Sequence, residues 1–564
     1  MIQLQSLMRA RLAPPQRAAS TSFVPRWLLA MLLAGLALPA NAQQPTVRFV
    51  LQDGARVSDV TTVVARATCA ENCDIAKVEF SVDGKLRYTD TSTPYSFDWD
   101  TLQDTEGQHT LTATVYDTAG RTATATITVV VDNELSKGAD YHADAALAAL
   151  KEGNLDLAMN YARRALKIDP GNLKAARAVA AIHRKRGEIP QAIEVLEKAN
   201  IPQDDIDARA DLVGLYMAAA ADASSTEDFL AYATKAISQY KLMLAAKEAR
   251  LVAAQSGKKS PIPAGDTAFY AHQWEPAIQQ YQKCGESLDA PLECANRLAL
   301  AYIRAGRLKA AELLLHTLDR SHRADAVTNA VEALLLVRNH ALEDARAMVK
   351  EGAAGGALAP MLVLAAIEII EQNKKEAARL LERANAIAPD VPEVQLLRAY
   401  VLPDPIDADH AIMKALEVDP TSAEAYAERG FRTLLSGGKN RFAAADALFA
   451  FALKQDKWCL CAMMGQALSL LWQHRAADAE PIVKQITLMD PDGADVHMLR
   501  AFYFQEADQT AYITPELDAA RKADADRWGD AMVPEPRDLV ARIFNYRPGI
   551  TLSPASLYPS AAQP

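Results

Sequence analysis

Six cysteines, ten histidines and a scatter of carboxylates are the side chains of this 564-residue sequence that could do chemistry. The cysteines fall in three local pairs. Cys69 and Cys73 bracket Ala70-Glu71-Asn72 in a loop remote from the other four, which favours a loop-closing disulfide. Cys284 and Cys294 flank a turn from Gly285 to Glu293 and could staple two helical stretches. Cys459 and Cys461 stand two apart at a helix start. Within a helix such neighbours do not face each other, so buried free thiols are at least as good a reading as a bond. These dispersed pairs offer too few convergent ligands for zinc, so neither a metal nor another cofactor is expected.

Catalytic motifs are missing. The sequence has no His-Glu-x-x-His, no Gly-x-Ser-x-Gly, no Gly-x-Gly-x-x-Gly and no phosphate loop. Gly257-Lys258-Lys259-Ser260 ends like a phosphate loop but lacks the upstream glycine and the preceding strand, so it reads as linker. His316, His322 and His340 are close in sequence but fall on different helical faces or in turns. Carboxylates abound on solvated helix faces. No catalytic residue is assigned, and the chain is read as a non-enzyme.

The elements that hold these residues begin after an export signal. Arg26 precedes the apolar run Trp27 to Leu38, and Ala40-Asn41-Ala42 supplies a small-x-small end, so cleavage is expected before Gln43. Residues 1–42 carry Arg9, Arg11, Arg17 and Arg26 and no acid, so their removal takes the net charge from −11 to −15. Phosphate backbones demand a basic surface, which argues against nucleic-acid partners. A periplasmic or cell-surface destination, with no membrane span after cleavage, is expected.

Residues 45–133 alternate with period two. Strands are predicted at Val47–Leu51, Thr61–Ala67, Ile75–Val82, Tyr95–Trp99, His109–Tyr116 and Thr122–Val131, with turns at Asp83-Gly84 and Asp117-Thr118-Ala119-Gly120. Seven or so short strands describe an antiparallel sandwich. Val78-Glu79-Phe80, Thr93-Pro94-Tyr95-Ser96-Phe97-Asp98-Trp99-Asp100 and Gly107-Gln108-His109-Thr110-Leu111 together resemble a bacterial immunoglobulin-like domain. Tyr95, Phe97 and Trp99 share one face and read as core rather than as a sugar platform. Asp53, Asp98, Asp100 and Asp117 read as turn formers rather than as a calcium loop.

From residue 139 a second regularity takes over. Gly153, Ala158 and Ala165 recur at Gly187, Ala192 and Ala199, and Gly306 and Ala311 at His340 and Ala345. Ala377, Leu381, Ala384 and Pro389, then Ala408, Ile412, Ala415 and Pro420, carry a second-helix signature, with proline blocking its continuation. The pattern resembles the tetratricopeptide repeat, an all-α solenoid of helix pairs, in about ten units. It is expected over 139–255 and 267–507, divided by a linker at 256–266 into two curved halves. A terminal helix and an extended tail over 508–564 would either lie along the solenoid or hang free.

The resemblance implies a concave face that binds a protein or peptide. With the second unit placed at Leu173, inward positions include Lys174, Arg177, Arg184 and Lys185, a basic stripe suited to an acidic or carboxylate-bearing segment. Chaperone-binding members of that family use a dicarboxylate clamp of basic residues and asparagines, and Ala181 here occupies one candidate asparagine position. The chain is thus expected to be an exported interaction scaffold. The alternative is a surface adhesin or polysaccharide-export accessory touching glycan through its β-domain.

Overall fold

Alternation of apolar and polar residues builds the first unit, which ends at Asn133, and helical spacing builds the second, which starts at Glu134. This computed structural model describes residues 44–69, 73–254, 260–286, 290–320, 325–529, 532–546 and 551–559. The expected signal segment and Gly257-Lys258-Lys259 lie outside the described residues.

The described residues of the β-unit form eight strands: β1 Thr46–Phe49, β2 Arg56–Val57, β3 Val60–Thr68, β4 Ile75–Val82, β5 Lys85–Asp90, β6 Ser96–Asp100, β7 Gly107–Asp117 and β8 Thr122–Val131. They form one sheet in the order β1-β3-β6 and another in the order β2-β8-β7-β4-β5. Every pairing is antiparallel except the short β2–β8 pair, which is parallel. Period-two alternation puts Val78, Phe80, Val82, Leu111, Val115 and Val129 between the sheets, with Tyr95, Phe97 and Trp99. Thr114 and Thr124 meet across the outer face, hydroxyl to hydroxyl at 3.2 Å. Asp83 and Gly84 both have positive φ (50° and 74°), which suits a tight hairpin into β5. Strand β5 is almost wholly exposed, so it lacks the alternation that would announce it.

The second unit stacks helices in pairs. The first four pairs are α1 Ala139–Lys151 with α2 Leu155–Ile168, α3 Leu173–Lys185 with α4 Ile189–Lys198, α5 Ile206–Ala221 with α6 Thr226–Ala254, and α7 Ile262–Tyr270 with α8 Trp274–Gly285. Next come α9 Leu292–Arg304 with α10 Leu308–Arg320, α11 Ala326–Arg338 with α12 Leu342–Ala354, α13 Leu358–Ile370 with α14 Lys374–Ile387, and α15 Pro392–Val401 with α16 Pro405–Val418. The last pairs are α17 Ala423–Leu435 with α18 Arg441–Gln455, α19 Leu460–Trp472 with α20 Ala476–Met489, and α21 Ala494–Glu506 with α22 Ile513–Ala523. Among the described residues three more helices follow: α23 Ala525–Trp528, α24 Pro536–Tyr546 and α25 Pro554–Leu557.

Local rules mark the boundaries. Side-chain oxygens of Asn154, Asn172, Asp205, Asp325 and Ser422 accept backbone N–H groups at helix starts. Most first helices end on a left-handed residue: Gly153, Gly187, His272, Gly306, His340, Gln372, His474 and Asp508 all have φ between 54° and 83°. Glycine is favoured there because a Cβ is strained at positive φ. His340 therefore stands in the glycine position of its turn.

Two expectations change. The linker at 256–266 is cut short, because α7 begins at Ile262 with Pro263 in its first turn. Asp266, expected in that linker, lies in α7 instead and is half-buried, accepting from Arg297 Nε at 2.9 Å and the Tyr281 hydroxyl at 2.5 Å. The array is also not two separate halves. Helix α5 packs on α16, and α6 on α18. Arg429 lies over the Phe229 ring at 4.2 Å, and one apolar core runs from α4–α6 into α15–α24. The helical coil meets itself one turn on.

Candidate functional site

A solenoid's inner wall is built from its first helices and is ordinarily wet. Here polar residues of those helices are buried: Asn296 and Arg297 on α9, Thr328 on α11, Glu368 on α13, Glu393 on α15, Glu424 and Glu428 on α17. What covers much of this wall is the chain's own C-terminal stretch.

Helix α24 packs against α13, α17 and α19. The Phe544 ring sits 5.4 Å from that of Phe431 and 5.6 Å from that of Tyr400. Gln372 Nε2 donates to the Asn545 carbonyl at 3.0 Å. Further on, Leu552 and Leu557 are 1% and 3% exposed and join the core of α7–α15. The Ala555 N–H donates to the Tyr270 hydroxyl at 2.9 Å, and Asn296 Nδ2 donates to the Tyr558 hydroxyl at 2.9 Å. The Arg297 guanidinium lies 4.9 Å over the Tyr558 ring. Ser553-Pro554-Ala555-Ser556 makes the segment's single helical turn, with Ser553 and Ser556 capping each other reciprocally. The tail therefore does not hang free over 551–559. Arg547 and Pro548 lie outside the described residues.

Beside this segment the interior keeps a cavity of about 930 Å³. The C-terminal ends of α9, α11 and α13 form one wall, the starts of α17, α19 and α21 the other, and α23 and Thr551 complete it. Arg304 spans the walls, 2.6 Å from Glu424 and 3.0 Å from Asp456, with its guanidinium 4.8 Å over Trp274. Burial opposes the charge, but the two carboxylates outweigh it and raise the guanidinium pKa. Arg527 pairs with Asp495 at 3.0 Å. Burial pushes the Glu393 carboxyl up to about 7, although the Ser553 hydroxyl bonds to it. Burial likewise lifts Glu428 to about 6, partly offset by Arg432. The carboxylates facing Arg304 hold it in place.

The basic stripe is distributed otherwise than expected. Lys174 pairs with Asp144 at 3.1 Å, and Arg177 with Asp211 at 2.5 Å and Asp207 at 3.7 Å. Arg184 reaches Glu417 of α16 at 3.3 Å, and Lys185 is exposed. Three of the four thus neutralise carboxylates of neighbouring helices. The acidic partners on α1, α5 and α16 are what the sequence reading left out.

Cys69 is bonded to Cys73 (Cα atoms 5.5 Å apart) and Cys284 to Cys294 (6.0 Å). Asp117 approaches the first pair, but sulfurs joined to each other leave no thiolate for a metal. Its carboxylate instead accepts from Arg121 Nε at 2.6 Å and the Ala119 N–H at 3.0 Å. Asp53 accepts the Thr128 N–H, Asp98 the Thr62 hydroxyl, and Asp100 the Leu102 N–H. Tyr95, Phe97 and Trp99 are buried and form no surface platform. Of the histidines grouped by sequence, His340 lies near Asp490 at 3.2 Å, and His322 is outside the described residues.

Residues missed in the sequence include Arg304, Glu393, Glu424 and Asp456, which no local pattern distinguishes from solvated helix charges. The tail left a signal: serine before proline with a second serine three on is a helix-start pattern.

The family profile described as Bacterial Ig domain matches residues 45–113, and that described as Tetratricopeptide repeat matches 149–212. No curated protein matches the sequence. Among solved structures, the fibronectin(III)-like modules of Clostridium thermocellum CbhA are 24% identical over 16% of this chain, with a TM-score of 0.14; this chain spans 46% of that one. The APC/C hetero-tetramer Cut9–Hcn1 is 13% identical over 72% of this chain and 96% of that one, with a TM-score of 0.40. A tetratricopeptide repeat protein from Parabacteroides merdae is 14% identical over 47% of this chain and 99% of that one, with a TM-score of 0.29. Among the described residues no helix is long and apolar enough to cross a membrane. Residues 45–113 of the β-sandwich thus match the bacterial Ig domain, and residues 149–212, within the first helix pairs, match the tetratricopeptide repeat.

Proposed function

We propose that this chain is an exported, non-catalytic interaction scaffold of the cell envelope, and that its partner enters the inner groove of α7–α19. The observation behind this is the occupant. The groove holds nine residues of the chain's own C-terminus through backbone, hydroxyl, guanidinium and apolar contacts, as a groove holds a peptide. A partner segment of similar chemistry, apolar residues around a Ser-Pro turn followed by an aromatic, would replace it. Export is supported by the apolar run after Arg26, the Ala40-Asn41-Ala42 end and the two cysteine bonds.

A labelled peptide of residues 551–559 tests the groove. It should bind a chain ending at Asn545 with micromolar Kd. The intact chain should bind it at least about tenfold more weakly, because the tethered tail competes at roughly millimolar effective concentration. Equal binding to both chains would end the groove reading. Fractionation, with sequencing of the mature N-terminus at Gln43, tests export separately.

A further inference from the structure

Cys459 and Cys461 sit on the wall of the interior cavity with their sulfurs 3.2 Å apart. Neighbours at this spacing inside a helix point apart. They meet because Cys459 precedes the first turn of α19, with extended backbone (φ −65°, ψ 98°), which turns its side chain toward that of Cys461. A bonded pair of sulfurs lies at about 2.05 Å, so a closing movement of little more than ~1 Å separates dithiol from disulfide.

We infer that Cys459 and Cys461 are a redox-active dithiol, oxidised by exchange with a small cationic disulfide admitted to the cavity. The two thiols are unequal, as exchange requires. Cys461 is partly exposed on the cavity wall, whereas Cys459 is 3% exposed. The hydrogen bond to Cys461, then burial, push the Cys459 thiol well above its usual range, so it waits protonated. Charge selects the reagent. The described lining residues include seven carboxylates, Asp492 and Asp526 among them, against three guanidiniums and His340. Such a cavity concentrates cations and repels anions.

The exchange has two displacements. Cys461 gives its proton to water and its Sγ attacks one sulfur of the small disulfide; that S–S bond breaks, and the released thiolate takes up a proton and leaves as a thiol. Cys459 then gives its proton to water, and its Sγ attacks Cys461 Sγ, forming the Cys459–Cys461 bond and expelling the second thiolate, which takes up a proton. Two thiols lose two electrons and two protons, and the small disulfide gains them as two thiols.

The test uses the full chain with Cys69–Cys73 and Cys284–Cys294 intact, treated with cystamine, alkylated and mapped by peptide mass spectrometry. The peptide holding Cys459 and Cys461 should become two hydrogen atoms lighter and lose both alkylation sites. Cys459→Ser should stop at a cysteamine adduct on Cys461, and Cys461→Ser should react at least about tenfold more slowly than wild type. Oxidised glutathione, an anion, should react several-fold more slowly than cystamine, with the gap narrowing as salt rises. Because the wild-type mapping needs no variant, it decides alone if either variant fails to fold. Two alkylatable thiols after cystamine treatment, or an unresolved adduct on the wild-type chain, would overturn the redox pair. Equal rates for the two disulfides at low salt would overturn the selection by charge.

Discussion

The ring of Phe449 on α18 occupies the space that a methyl group on Gly465 of α19 would need, and a Cβ on Gly430 of α17 would come within 2.6 Å of the same ring. Phe449 is wholly buried, so it has nowhere to move. Alanine for glycine inside a helix ordinarily stabilises by about 0.5–1 kcal/mol. Here the sign should reverse. Gly465→Ala should destabilise by about 1–3 kcal/mol through overpacking, read as a lower thermal midpoint. Gly437→Ala, in open space between α17 and α18, should leave the midpoint nearly unchanged.

Glu393 ties stability to pH. Its pKa is about 7 in the folded chain against an ordinary 4.5. A raised folded-state value means that the protonated carboxyl favours folding: its contribution is complete below pH 4.5 and is lost as pH rises through 7. Relative to Glu393→Gln, which cannot ionise, the wild-type chain should therefore lose on the order of 3 kcal/mol between those limits. Denaturant melts of both chains across that window would show it. A constant difference would remove Glu393 from the account.

The left-handed turns separate backbone strain from packing. A Cβ on Gly306 (φ 73°) would meet nothing within 4 Å, so Gly306→Ala should cost about 1–2 kcal/mol from the backbone alone. Asp508 adopts φ 55° in the corresponding turn of α21. Asp508→Gly should be neutral or stabilising by a few tenths of a kcal/mol in the same melt.

Arg304 holds two carboxylates at the cavity. Arg304→Met would leave Glu424 and Asp456, both under 10% exposed, without the guanidinium between them. A cost of about 3–5 kcal/mol is expected. Adding Glu424→Gln and Asp456→Asn should restore much of it, because the penalty arises from stranded charge rather than lost attraction. A triple variant no more stable than Arg304→Met would contradict this.

Much of the architecture is local and so was legible. Alternation announced β3, β4, β7 and β8, because one buried face imposes a period of two; Leu86 and Tyr88 on the exposed edge strand β5 feel no such constraint and gave no sign. The recurrence from Gly153 to Gly187 disclosed the helix pairs, because most of these turns pass through a left-handed residue. Where His340, Gln372 or Asp508 fills that position, the period is harder to see.

Sequence alone determined the kinds of element and their order, since propensity, capping and periodicity act within a few residues. Only the tertiary structure decided what meets across long separations. Arg304 finds Glu424 and Asp456, Arg184 finds Glu417, and Tyr558 finds Asn296 only because the helical coil closes on itself and takes its own tail inside. No rule of local spacing sets that curvature; it accumulates from the packing of every pair upon the next. For the same reason Lys174, Arg177 and Arg184, a cationic stripe on one helix, become a set of neutralised pairs once their neighbours are in place.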